Sequence, residues 1–538
     1  MILINAFGSG LTQPRGRISR RLAMRGNYDC VVIGSGLGGL TAGALCARAG
    51  LKVLVLERNN DFGGAAATYR HHGLTIEASL HEIDGFDKGD PKKPLLSALG
   101  LERDLQFVDV GDIYEVRGST FGEPFRLRHG FEAALAGAVA RFPEHKAGLG
   151  EYFRRLWSVR EALSSAAMHR DDRSWWISHA PEALRHLWTL LRDGRATLGE
   201  VMTELFGADE RVKLALCANL AYWHDNPDRF RFLRYAVAQA SFIGGGGHYV
   251  RGGSRALAER LAGLIREAGG ELESGREADE ILLAEGKVAG VSHHSRDGDR
   301  RVDETRMILG NAAPQMLGAM LPEKNRTAFL EPYAGRGLSI SLWTLSLGLN
   351  RPARDFGVSS YSTFIIPEWM QSFSQMREMA AMIGAEPGYG MPLYVFVDFH
   401  QIDSGLNEGP PYLVSFCSSD RLDNWTPLDP AAKKARKDAW TNALIGDIER
   451  HFPGIAGAVT HREMATAETM HDYLNTPDGA VYGFSPDVTA IDAFSPGPRT
   501  TIPGLWLASA FTSGGGFTGS MLGGARAATE AMQQMRQA

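Results

Sequence analysis

A chain of 538 residues is long enough for two or three domains with sizeable cores. Its 44% hydrophobic and 22% charged residues are the balance of a soluble globular protein, and a net charge of −5 argues against nucleic acid as a partner. Four cysteines without a C-x-x-C pair argue against a disulfide framework or a zinc site and favour a reducing, cytoplasmic compartment.

The N-terminus carries Arg15, Arg17, Arg20, Arg21 and Arg25 with no acid before Asp29. Ser19-Arg20-Arg21-Leu22 faintly resembles a twin-arginine signal, yet no separate apolar segment follows it. Residues 1–27 are expected to be a flexible basic leader, with Met24 as an alternative start and a transit peptide as the other reading. No apolar run reaches the roughly 18 residues that span a bilayer.

Tyr28 to Ile33 (YDCVVI) predicts a buried parallel strand. Gly34, Gly36 and Gly39 follow at once, Leu40 to Arg48 reads as a helix closed by Gly50, and a second strand from Leu51 to Leu56 ends in Glu57. Strand, glycine turn, helix, strand and terminal acid are the context of a dinucleotide-binding turn. Gly34 makes the tight turn, Gly36 lets backbone approach a pyrophosphate, and Gly39 lets helix pack on strand. The helix N-terminus attracts phosphate, and Glu57 accepts hydrogen bonds from a ribose. The bland alternative is a tight strand-to-helix turn without a ligand.

Asn59 to Tyr69 (NNDFGGAAATY) adds Gly63 and Gly64, a second close backbone approach. Here the chain resembles the FAD-dependent family of phytoene desaturases, carotenoid isomerases and retinol saturases, which is related to the flavin amine oxidases. The spacing from Gly63 to Tyr69 is similar to the saturase and isomerase branch, and Ala65 stands where many members carry Arg. The resemblance implies FAD contacts at Gly34, Ser35, Gly36, Leu37, Gly38, Gly39, Glu57, Arg58, Gly63 and Gly64. It also implies that residues 73–87 (GLTIEASLHEIDGFD) pass the flavin ring. His81 matches a histidine of saturase-like members and could move a proton near neutral pH; a hydrogen-bonded structural histidine is the competing reading. Glu77 and Glu82 read as ordinary, partly exposed acids.

Residues 151–240 read as helical and hold Trp157, Trp175, Trp176, Trp188 and Trp223. Core packing is the default for such aromatic density; a substrate chamber or membrane-contacting lobe is the functional alternative. RGGS at 251–254 opens an amphipathic helix carrying Leu257, Leu261 and Ile265. Strands follow at Glu271–Glu273 and Glu280–Leu283, with a hairpin turn at Ala284–Lys287. The family has the same block, and the resemblance implies that the strand near Glu277 returns to the adenine. Met307 to Asn311 (MILGN) then resembles a strand re-entering the FAD domain. Trp369, Met370, Phe373, Met376, Met379 and Ile383 form an apolar stripe read as core, and residues 392–417 predict antiparallel strands of a substrate domain. The pairs His71-His72 and His293-His294 read as solvated loop histidines, and no metal site is expected.

Near the end, Gly514, Gly516 and Gly519 repeat the glycine spacing after a strand from Pro503 to Ala510, but the following helix runs to the end and leaves no second acid-tipped strand. The segment instead resembles the family's closing loop, so Ala510, Gly519, Ser520 and Met521 are expected beside the same flavin. The predicted fold is α/β, with a Rossmann-type, glutathione reductase-like FAD-binding domain (28–110, 248–318, 481–538) interleaved with a mixed-sheet substrate domain and a helical lobe (111–247, 319–480). The implied enzyme is an FAD oxidoreductase acting on carbon–carbon bonds of an apolar polyene such as a carotenoid or retinoid, with peripheral membrane contact inferred from that substrate. An FAD amine oxidase and a non-catalytic flavin-bound scaffold are the alternatives.

Overall fold

The runs of buried aliphatic residues at Val31–Ile33 and Val53–Leu56 have no solvated face, the pattern of a parallel sheet covered on both sides. In the computed structural model, which describes residues 24–78, 81–87, 89–169, 172–388, 390–487 and 496–537, these residues form such a sheet. Its strands are Cys30–Ile33 (β1), Val53–Leu56 (β2), Glu271–Glu273 (β3), Ile308–Gly310 (β4) and Leu505–Leu507 (β5). All neighbours pair in parallel, in spatial order β3-β2-β1-β4-β5. Alternation along each strand divides the contacts. Cys30, Val32, Val53 and Val55 face the helices Leu37–Arg48 (α1) and Ser254–Glu267 (α2). Val31, Ile33, Leu54 and Leu56 face a four-stranded sheet built from Met24–Tyr28, Arg276–Ala284, Lys287–Ser295 and Arg300–Thr305.

The first helix begins at Leu37 rather than Leu40, so Gly38 and Gly39 lie in its first turn. Of the expected leader, residues 1–23 lie outside the described residues. Its end is not a leader, because Met24–Tyr28 pairs in parallel with Arg300–Thr305. His293 is also not a loop histidine: it lies inside a strand, fully buried, with Nε2 2.8 Å from Asp303 Oδ2. The hairpin after Ala284 forms as expected, with Glu285 and Gly286 both at positive φ.

A second sheet of seven strands carries the remaining core. Its order is Val459–Ala465, Ser341–Leu349, Tyr412–Asp420, Tyr394–Asp398, Ser362–Ile365, Tyr114–Arg117 and Phe125–Leu127. Only the pair Ser362–Ile365 and Tyr114–Arg117 is parallel, so the sheet is mixed. Trp440, Leu444 and Ile448 of helix Pro430–His451 pack with Trp343, Phe396 and Phe416 of the sheet. The methionine stripe is core, with Met370, Met376 and Met379 wholly buried.

The lobe between the sheets is helical, from Lys146–Met168 to Phe232–Gly245. Its tryptophans divide, since Trp223 packs against the core beside Tyr235 and Phe242, as core packing predicts. Trp157 and Trp188 are 41% and 67% exposed, and Trp175, Trp176 and Trp223 are only partly covered. No helix among the described residues is long and apolar enough to cross a membrane.

Two buried contacts join the distant segments. Glu77 accepts hydrogen bonds from the Ser254 amide and hydroxyl at the start of α2, 2.7 Å each, and from Thr68 Oγ1 at 2.9 Å. An anion there satisfies free amides and complements the helix dipole, so Glu77 is buried for a reason and is not the exposed acid expected. The terminal helix Gly516–Gln537 (α3) crosses α1 with backbone against backbone. A Cβ on Gly524 would lie 2.0 Å from the Gly38 carbonyl oxygen, and one on Gly38 would lie 2.3 Å from the Ala508 oxygen. Both obstacles are main chain, so a side chain forces the helices apart. Gly524→Ala is expected to lower stability by about 1–3 kcal/mol and to weaken cofactor retention, measured by thermal unfolding and by flavin content after purification. An unchanged melting temperature would refute the crossing.

Candidate active site

Gly34 turns at φ +90°, and the turn is held by Glu57. Glu57 Oε2 accepts from the Ser35 amide at 2.8 Å and the Ser35 hydroxyl at 2.5 Å, while Oε1 accepts from the Asn59 amide at 2.7 Å. The acid at the tip of β2 therefore organises the turn it faces. The Gly63 amide donates to the Ser35 carbonyl at 3.0 Å, and Gly36 and Gly63 form a bridge. A Cβ on Gly64 would stand 3.0 Å from Gly36 Cα, so both glycine pairs share one wall.

The second glycine turn reaches the same place. Strands β1, β4 and β5 end together, where the Asn311 amide bonds to Ile33 O at 2.7 Å and Asn311 Nδ2 donates to Ala508 O at 2.6 Å. Asn311 Oδ1 would lie 2.4 Å from a Cβ at Gly36. Ala510 opens a short helix to Ser513, and Gly514 and Gly516 then carry positive φ into α3, with no atom within 4 Å of an added Cβ. Gly519 and Ser520 are half-buried in the first turns of α3, and Met521 is buried. The cleft so formed lies at the carboxyl ends of parallel strands, where such sheets take ligands. Leu37, Gly38 and Gly39 line its α1 side, all buried.

Two expected contacts lie at the margin. Arg58 sends its guanidinium to the carbonyls of Asp472 and Tyr473, both at 2.9 Å. The side chain of Glu277 is exposed, although the strand does return to the tip of β2: the amides of Gly275 and Arg276 bond to Asn59 O and Glu57 O at 2.8 and 2.7 Å.

Across the cleft runs the segment from His81 to Asp84. Thr518, in α3, donates to Asp84 Oδ1 at 2.7 Å, which ties the segment to the closing loop. The His81 ring lies 5.5 Å from that of Tyr222, and the Tyr361 hydroxyl donates to the His81 carbonyl. Burial lowers the His81 pKa to about 4. The imidazole is thus uncharged at neutral pH, against the expectation that it titrates there, because loss of water disfavours the cation. Glu82 moves the opposite way, pushed up to about 8 by burial and by the neighbouring Asp84 charge. Its Oε2 is buried with no hydrogen-bond partner among the described residues. Burial also opposes ionisation of Asp84, but the Lys92 charge and hydrogen bonds from Ser241 and Thr518 outweigh it and hold the carboxyl below its usual range. Two acids two residues apart are therefore split into a protonated and an ionised one, an arrangement typical of proton-transfer sites.

Asn311, Asp84 and the role of Glu82 were not read from the sequence. The available signals were a polar residue directly after β4 and the two acids of HEID, but the asymmetry between those acids comes from Lys92 and Thr518, which the sequence does not bring near.

A parallel sheet of this order, with a glycine turn after β1 and an acid ending β2, defines a dinucleotide-binding fold. The NAD(P)-binding Rossmann-like domain family matches residues 32–99. The chain is similar over most of its length to proteins named as retinol reductase, prolycopene isomerase and phytoene desaturase. It is 28% identical to the all-trans-retinol 13,14-reductase of Macaca fascicularis, covering 92% of this chain and 84% of that one. It is 22% identical to the chloroplastic prolycopene isomerase of Arabidopsis thaliana (94% and 82%) and 24% identical to the neurosporene-forming phytoene desaturase of Rhodobacter capsulatus (92% and 91%). Among solved structures, an oxidoreductase from Methanosarcina mazei aligns with a TM-score of 0.60 at 16% identity over 94% of this chain and 99% of that one. A redesigned putrescine oxidase aligns with 0.62 at 14% identity over the same shares. These establish the fold.

The raised pKa of Glu82 has a defined consequence for stability. From its usual value of 4.5 up to about 8, the unfolded chain has lost this proton while the folded chain keeps it. Stability should therefore fall as pH rises through that window. Glu82→Gln, neutral throughout, should flatten the decline in melting temperature between pH 5 and 8. Parallel profiles for the two proteins would show that Glu82 ionises normally.

Proposed function

We propose that the protein is an FAD-dependent oxidoreductase acting on carbon–carbon bonds of a long apolar polyene of the carotenoid or retinoid class, by desaturation, saturation or cis–trans isomerisation. The observation that carries this is similarity over nearly the whole chain to three enzymes named for such substrates. The amine-oxidase alternative has only similarity of fold, and Ala65 stands where many flavin relatives carry Arg.

The residues fit the cofactor. A cradle made by Gly34, Gly36, Gly63 and Gly64 suits a pyrophosphate against the N-terminus of α1, and Glu57 with the strand at Glu277 suits the adenosine end. Ala510 and Gly519 to Met521 suit the ring end. Bound FAD supplies hydride exchange with a substrate carbon. The chain itself governs protons and water. Glu82 carries a proton on its carboxyl at neutral pH and can give it to the substrate, leaving the carboxylate that would take a proton in the reverse direction. Ionised Asp84, anchored by Thr518 and Lys92, keeps that proton in place. His81 acts as a neutral hydrogen-bonding wall together with Tyr222. Four buried free cysteines support a reducing, cytoplasmic compartment.

Mass spectrometry of products from a panel of carotenoids and retinoids in detergent tests the reading. Loss or gain of two hydrogens, or unchanged mass with altered retention, would identify the reaction; no conversion by flavin-loaded protein would sink it. His81→Ala should keep its flavin and slow turnover by roughly tenfold or more. Normal turnover in that variant would remove His81 from the site.

A further inference from the structure

One helix of the lobe is packed inside out. Helix Ala180–Asp193 turns His186, Thr189 and Asp193 inward, at 3%, 6% and 2% exposure, toward helix Lys146–Met168. It leaves Leu184, Leu187, Trp188 and Leu191 in solvent, at 66%, 51%, 67% and 68%. These four follow the i, i+3, i+4, i+7 spacing of a single stripe. Ile177, just before the helix, is 78% exposed. A contiguous apolar face of this kind marks an interaction surface.

Its chemistry selects the occupant. Arg185 and Arg192 lie along one flank of the stripe; Arg185 is 63% exposed with only a loose 3.6 Å pairing to Glu161, while Arg192 is held by Asp193 and Glu151. Arg195 is exposed just beyond the helix end. Leucine and tryptophan on one side with arginine at the margin is the composition of a helix lying in a membrane interface, where guanidinium groups meet lipid phosphates. At 14 residues the helix is about 21 Å long, so it lies along a surface rather than crossing it. One stripe of four side chains is also small against the roughly 800 Å² per partner of a stable protein interface.

We propose that this face docks the lobe on an anionic phospholipid surface, with Leu184, Leu187, Trp188 and Leu191 entering the acyl boundary. Helix Lys146–Met168, which supports the docking helix, also lines a groove of about 850 Å³ together with Phe131, Leu135 and Gly244. The helix contributes Phe153 and the exposed Trp157 to it. Asp87 and Gly244 in that lining lie beside Asp84 and Gly247, which pair antiparallel. The docking does not rest on the polyene reading.

The test is co-sedimentation of the full-length, flavin-loaded protein with vesicles containing about 30 mol % phosphatidylglycerol, in parallel with a triple variant, Leu187→Gln, Trp188→Gln and Leu191→Gln. The wild type should pellet with the vesicles and the variant should partition roughly tenfold less. Its flavin content, melting temperature and any activity on detergent-dispersed substrate should be unchanged. Equal sedimentation of the two proteins, or none by either, overturns the proposal. So does a wild-type dimer in solution that the triple variant abolishes, which would make the stripe a self-association face. Vesicle binding by a wild type that converts no polyene supports the docking surface and overturns the substrate reading.

Discussion

The site depends on a backbone-to-backbone contact between α1 and α3. Gly38 and Gly524 allow the two helices to approach until only main-chain atoms separate them. Without that approach the two glycine turns, nearly 500 residues apart in sequence, would not share a cleft. Asn311 completes the junction by tying the end of β4 to Ile33 on one side and Ala508 on the other. Hydrogen bonds of this kind fix the ends of three parallel strands at one level, and a ligand at those ends meets a prearranged wall of amides.

On the opposite wall the chain uses charge rather than close approach. Lys92 is buried with Asp90, Nζ to Oδ2 at 2.7 Å, and its ammonium also bonds the Asp84 carbonyl. Breaking such a pair leaves an uncompensated charge and is costly. The same cation keeps Asp84 ionised, and Asp84 in turn helps keep Glu82 protonated. Burial does most to keep Glu82 protonated, whereas at Asp84 Lys92, Ser241 and Thr518 together outweigh burial, and Thr518 anchors the closing loop there.

The lobe follows a different rule from the sheets. Around the parallel and mixed sheets, apolar side chains are almost all inside, as Trp343, Trp425 and Trp440 are. In helix Ala180–Asp193 they are outside, and the inward face is polar.

Local pattern alone determined β1, the turn at Gly34, the start of α2 at Ser254, β3 and the terminal helix, because each depends on short-range chemistry: β-branched runs, positive-φ glycine and helix periodicity. That the second glycine turn does not open a second complete nucleotide site was also legible, since no acid-tipped strand follows it. Tertiary structure alone decided the rest. It moved Glu77 into the core as a cap for α2, buried His293 against Asp303, and left Trp157 and Trp188 exposed. It made His81 neutral and separated Glu82 from Asp84. Those properties are set by neighbours that are remote in sequence, by exclusion of water and by the sign of nearby charge, and none of these is encoded in spacing along the chain.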